Sequence, residues 1–96
     1  MKPIVIHPGE ILLEDFMRPL GLNCNVLALA IRVPSNRVLA ITKSKRAITA
    51  DTALRLARYF GTTPDFWINL QGLHDLKKAA FDCGARIRRE IQPHAA

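Results

Sequence analysis

Apolar residues recur along this chain at helical spacing, in blocks separated by proline and glycine. Ile11, Leu12, Phe16 and Leu20 mark one face of a first helix, closed by Pro19 and Gly21. His7-Pro8-Gly9-Glu10 opens it, with Pro8 in the first turn and Glu10 near the positive end of the dipole. Asn23 caps a second helix with Val26, Leu27, Ala30 and Ile31 facing inward, and Val33-Pro34 breaks it. A third helix spans about 35–42, with Val38 and Ile41 inward. Lys43 to Ile48 reads as a polar loop. Thr49 caps a fourth helix with Ala53, Leu54, Leu56, Ala57 and Phe60 on its core side, and Gly61 ends it. Thr63-Pro64-Asp65 starts a fifth, on a stripe of Phe66, Trp67, Leu70, Leu73 and Leu76, able to run past Gly84 to Ile91 before Pro93. Only the arm from Pro3 to His7 alternates with period two, so the expected fold is all-α.

The chain has 96 residues, read as one domain, and about half of them are apolar, enough for a core without metal or disulfides. No apolar run reaches the ~18 residues of a membrane span, and the first residues are too quickly broken for a signal peptide. Cys24 and Cys83 stand outside any CxxC pattern, which suits a reducing cytoplasm. The net charge of +6 is unevenly placed. From Arg32 to Arg58 seven cations (Arg32, Arg37, Lys43, Lys45, Arg46, Arg55, Arg58) face one anion, Asp51. Such a window is either a solvated basic face or the footprint of a polyanion.

Spacing sharpens the second reading. A helix-turn-helix needs a small residue where its helices cross, and Ala28 is one. It needs apolar residues inside the second helix, and Val38 and Ile41 supply them. Its turn falls at Arg32, where glycine is usual because the backbone is often left-handed. The alternative is a plain helical hairpin. The third helix opens with Ser35, Asn36 and Arg37 and is followed by Lys43, Lys45 and Arg46, an arrangement suited to a DNA groove.

The chain also resembles a known family. His7-Pro8-Gly9-Glu10-Ile11-Leu12, Pro19-Leu20-Gly21-Leu22, the run from Lys45 to Ala57 and the run from Gly61 to Gln71 are similar to the HigA-type antitoxins, within the phage-repressor-like helix-turn-helix proteins. The match covers about 7–76, taken as the core of a single domain 1–96, with 77–96 a helical extension. The resemblance implies a five-helix domain, a homodimer, operator DNA as partner, and a toxin that is an mRNA-cleaving ribonuclease. It places base-reading positions on Ser35, Asn36, Arg37 and Ala40. Arg37 suits guanine, Asn36 adenine, and Ala40 at most a thymine methyl. Phosphate contacts fall to Lys43, Lys45 and Arg46; Arg46 alternatively ties the loop to the fourth helix. Leu39 is an odd apolar neighbour on that surface.

A basic chain cannot steer toward a basic toxin by charge. The expected toxin surface is therefore the less basic first helix, with Glu10, Glu14, Asp15 and the apolar Leu13, unless Glu14 and Asp15 are only solvated. Leu70, Leu73, Leu76 and Phe81 are expected to bury against a second subunit. Phe66-Trp67 reads as core and Arg86 to Arg89 as a solvated end.

Nothing points to catalysis or a cofactor. His7, His74 and His94 are scattered, so no metal site is expected. His7 reads as a helix-start residue and Cys24 as a small residue at a helix start. There is no phosphate-binding loop and no acid/base carboxylate pair. Three functions remain: a repressor that also neutralises a toxin, a stand-alone repressor, and a toxin-binding module whose DNA binding has decayed.

Overall fold

The protein is described by a computed structural model over residues 5–95. Pro3 and Ile4, the start of the alternating arm, lie outside the described residues. Among those described there are five helices and no strand. Helix α1 is Pro8–Ile11 and runs directly into a π-helical segment, Leu12–Met17. The others are α2 (Cys24–Ile31), α3 (Ser35–Thr42), α4 (Ala50–Phe60) and α5 (Pro64–Glu90).

Four of the five helices start on a side-chain cap that satisfies an otherwise orphaned N–H. His7 Nδ1 accepts from Gly9 N at 2.9 Å, and Asn23 Oδ1 from Val26 N at 2.9 Å. Thr49 Oγ1 accepts from Thr52 N at 3.4 Å, and Thr63 Oγ1 from Phe66 N at 3.2 Å. Gly61, at φ 75°, closes α4 in the left-handed conformation.

The π segment changes which face of the first helix is inward. Arg18 N donates to Leu13 O, and Leu22 N to Met17 O, each five residues back at 2.9 Å. This wider turn brings Met17 beside Leu12 in the core and leaves Leu20, expected inside, 63% exposed. On α2 the buried stripe is Leu27, Ala28 and Ile31, while Val26 and Ala30, also expected inside, are exposed. The buried arc of α2 runs through Leu27, Ala28 and Ile31, and Val26 and Ala30 fall outside it. On α4 the stripe is Thr52, Ala53, Leu56 and Ala57. Leu54 falls outside that arc and is 60% exposed, lining an open groove with Tyr59, Arg32 and Arg58.

Trp67 anchors α5: its ring is fully buried and its Nε1 donates to Thr62 Oγ1 at 2.8 Å. Phe16 stacks near Trp67, Phe60 and Phe66, with centroids 4.9, 5.1 and 5.9 Å away. Phe66 lies at the edge of this cluster rather than in the core. The loop before α4 is not wholly polar, because Ile48 is buried and its N–H donates to Gln71 Oε1 at 2.8 Å. Gln71 Nε2 in turn donates to Asp75 Oδ1 at 3.0 Å. Beyond Asp75, α5 projects from the domain, and the described chain measures 52 × 30 × 21 Å.

Candidate nucleic-acid interface

Helix α3 packs between α2 and α1. Val38 and Ile41 are its buried side. A Cβ at Gly9 would overlap the Ile41 carbonyl, so the start of α1 touches the end of α3 directly. What remains outward is a face of Ser35, Asn36, Leu39 and Lys43, with Ala40 half-buried beside it. Leu39 is 43% exposed there. Ser35, Leu39 and Lys43 lie four residues apart, with Asn36 three before Leu39 and four before Ala40, so they share one side of the helix.

Two turns of the same design bracket α3. At the end of α2, Val33 N donates to Ala28 O at 3.0 Å and Arg32 N to Leu29 O at 3.4 Å. At the end of α3, Lys45 N donates to Ala40 O at 2.9 Å and Ser44 N to Ile41 O at 3.0 Å. Both are Schellman motifs, and both put a non-glycine residue, Arg32 and Ser44, at φ 61°. A left-handed residue of this kind costs roughly 1–2 kcal/mol. The sequence marked the turn at Arg32; the turn at Ser44 carries no such signal. The second turn carries Lys45 and Arg46 past the end of α3, where both are exposed, as is Lys43. None of these three forms an ion pair among the described residues.

Arg37 behaves differently from its neighbours. It is half-buried and turned toward α4, where its Nη1 donates to Asp51 Oδ2 at 3.4 Å. Asp51 also accepts from Arg55 Nε at 2.9 Å. The Asp51/Arg55 pair is readable as an i, i+4 spacing, whereas the reach of Arg37 across fourteen residues is not.

The other assigned residues are spread over the surface. Glu10, Glu14 and Asp15 are exposed, and Glu14 pairs with Arg18 at 3.1 Å. Leu13 is half-buried and packs on the core. Leu70 likewise packs on the core, whereas Leu73 and Leu76 are exposed. Cys24 is the first residue of α2, with its Sγ 3.9 Å from Thr42 Oγ1, and both cysteines are free. His7 caps α1 and meets His74 edge-on, ring centroids 4.8 Å apart. Burial chiefly, and the neighbouring His74 next, lower the His7 pKa; Asp75 and Glu10 pull it the other way. Bonds from His74 and Gln71 hold the Asp75 carboxyl below its ordinary range. Among the described residues no three His, Cys, Asp or Glu side chains converge on a metal site, and no helix is long and apolar enough to cross a membrane.

No family model matches the chain. It is similar to virulence-associated protein I of Dichelobacter nodosus, 51% identical over 77 residues that span 80% of this chain and 71% of that protein. Among solved structures it is similar to an addiction-module antidote protein of the HigA family from Coxiella burnetii. That match has a TM-score of 0.91 and 49% identity, covering 96% of this chain and all of the other (100%). It is also similar to the antitoxin HigA of Pseudomonas aeruginosa, solved with the higBA promoter, at a TM-score of 0.93, 40% identity and coverage of 96% and 100%.

Proposed function

The chain belongs to the HigA family of antitoxins, and from that premise we propose that it binds operator DNA as a dimer, represses its own operon and neutralises a cognate ribonuclease toxin in the cytoplasm. It is not an enzyme; its relatives are antitoxins and helix-turn-helix regulators. The observation that carries the DNA half is the outward face of α3, with Ser35 and Asn36 exposed and Lys43, Lys45 and Arg46 beside it in no ion pair among the described residues. In the major groove, Ser35 and Asn36 meet base edges first, and Ala40 and Leu39 offer methyl groups to thymine. Arg37 reaches a base by exchanging its bond to Asp51. Lys43, Lys45 and Arg46 contact phosphate. A single half-site offers too small a footprint for tight specific binding, so twofold pairing on a near-palindrome is required. Leu73 and Leu76 on α5, next to the partly buried Leu70, are the proposed dimer seam. Glu10, Leu13, Glu14 and Asp15 form the proposed toxin surface.

Promoter binding by variants tests the assignment. Asn36→Ala with Arg37→Ala should weaken promoter binding and relax base preference, by about 1–3 kcal/mol for each bidentate base pairing removed. Lys45→Ala should weaken all sequences alike and flatten the salt slope by about one unit. Unchanged promoter affinity in the double variant sinks the recognition-helix assignment. If the wild-type chain binds its promoter but not the product of the adjacent reading frame, the stand-alone repressor takes its place.

A further inference from the structure

The turn between α2 and α3 is strained at Arg32, and α4 reaches across to it. Arg55 Nη1 donates to Ile31 O at 2.9 Å and to Arg32 O at 3.2 Å, carbonyls at the end of α2 that the helix itself leaves without a partner. The Nε of the same guanidinium donates to Asp51 Oδ2 at 2.9 Å. That oxygen also accepts the 3.4 Å bond from Arg37 Nη1. One planar fork therefore joins the strained turn, the first turn of α4 and, through a shared carboxylate, the recognition helix. A lysine has no fork with which to make these bonds at once. Arg37 is the loosest member. Its bond is long, and its Nε is buried with no hydrogen-bond partner among the described residues.

We propose that Arg55 is a positioning residue for DNA recognition. It clips the left-handed turn, doing with two hydrogen bonds what glycine does by lacking a Cβ, and through Asp51 it fixes where Arg37 rests before DNA arrives. The inference rests on the DNA-binding reading above. The competing role is a direct phosphate contact by Arg55, as one more cation of the basic window.

The test compares Arg55→Gln in the wild-type background and in Arg32→Gly, using a duplex of the chain's own promoter across a salt series, together with thermal unfolding. Positioning predicts that Arg55→Gln weakens binding about tenfold in the wild-type background and about twofold or less in Arg32→Gly, since touching sites couple. It also predicts an unchanged salt slope and an Arg55→Lys variant as weak as Arg55→Gln. Equal losses in the two backgrounds, a slope flatter by about one unit, or rescue by lysine overturns it. If Arg55→Gln alone does not fold, a folded, binding Arg32→Gly/Arg55→Gln chain supports the clip, and failure of that chain too overturns it. If the wild-type chain binds no DNA, the DNA-binding reading and the recognition role fall together. The clip is then judged on unfolding midpoints alone, where a smaller loss in Arg32→Gly supports it and an equal loss rejects it.

Discussion

At the scale of single residues, His7 shows how much one ring can carry. Its Nδ1 accepts the Gly9 N–H, which requires that nitrogen to be unprotonated. Burial and the facing His74 lower its pKa from the ordinary 6.5, against the opposing pull of Asp75 and Glu10. The folded chain thus binds a proton at this site less readily than the unfolded chain. The resulting stability is complete above the unfolded value of 6.5 and declines as pH falls from there through the lowered folded pKa. Unfolding midpoints between pH 8 and 5 should therefore drop in the wild type. His7→Asn, which keeps a cap but cannot titrate, should flatten that fall. His7→Ala should cost about 1 kcal/mol at neutral pH, as a lost cap does. An unaltered pH profile in His7→Asn removes His7 from this role. In sequence His7 reads only as a helix-start residue, whereas the caps Asn23, Thr49 and Thr63 are legible there because each bond closes within three residues. The Gln71 bond to Ile48 N is not, because it spans 23 residues and depends on how α5 docks.

At the scale of elements, helix starts and stops followed local chemistry, while the buried faces depended on neighbours. Thr63-Pro64 and Gly61 mark their boundaries from the sequence alone. The inward face of the first helix did not follow from a 3.6-residue period, because the segment Leu12–Met17 winds as a π-helix. Helix α5 has the opposite problem, one apolar stripe with two destinations. Trp67 belongs to the core and the partly buried Leu70 packs against it, and the stripe then leaves the domain as Leu73, Leu76, Ala80, Cys83 and Ile87, at the three- and four-residue steps of a helix seam. Leu76 is 71% exposed, so a charge there disturbs little within one chain. Leu73→Glu or Leu76→Glu should leave the unfolding of the domain nearly unchanged, turn a dimer into a monomer by light scattering, and abolish cooperative operator binding. A wild-type chain already monomeric at tens of micromolar contradicts the seam.

At the scale of the whole molecule, charge is the organising quantity. The basic window from Arg32 to Arg58 was visible in sequence, but only the fold shows that it is not uniform. Arg37 and Arg55 are occupied by Asp51, leaving Arg32, Lys43, Lys45, Arg46 and Arg58 free of ion pairs among the described residues, and of these Lys43, Lys45 and Arg46 follow the end of α3. The acidic side lies on the first helix. The start of this helix is close to α3: Gly9 lies against the Ile41 carbonyl, so Glu10 is only one residue from that contact. Glu14 and Asp15 lie farther along, on the π segment, and are the better candidates for holding a toxin while DNA occupies α3. Charge reversal, Glu14→Lys with Asp15→Lys, tests this. It removes the exposed Glu14 pair with Arg18, worth at most about 1 kcal/mol, so the chain should remain folded. Added positive charge should not weaken promoter binding and should steepen its approach at low salt. Co-purification with the adjacent gene's product, and rescue of growth against it, should both be lost. A folded, DNA-competent double variant that still captures the toxin places the toxin surface elsewhere, with Glu14 and Asp15 merely solvated.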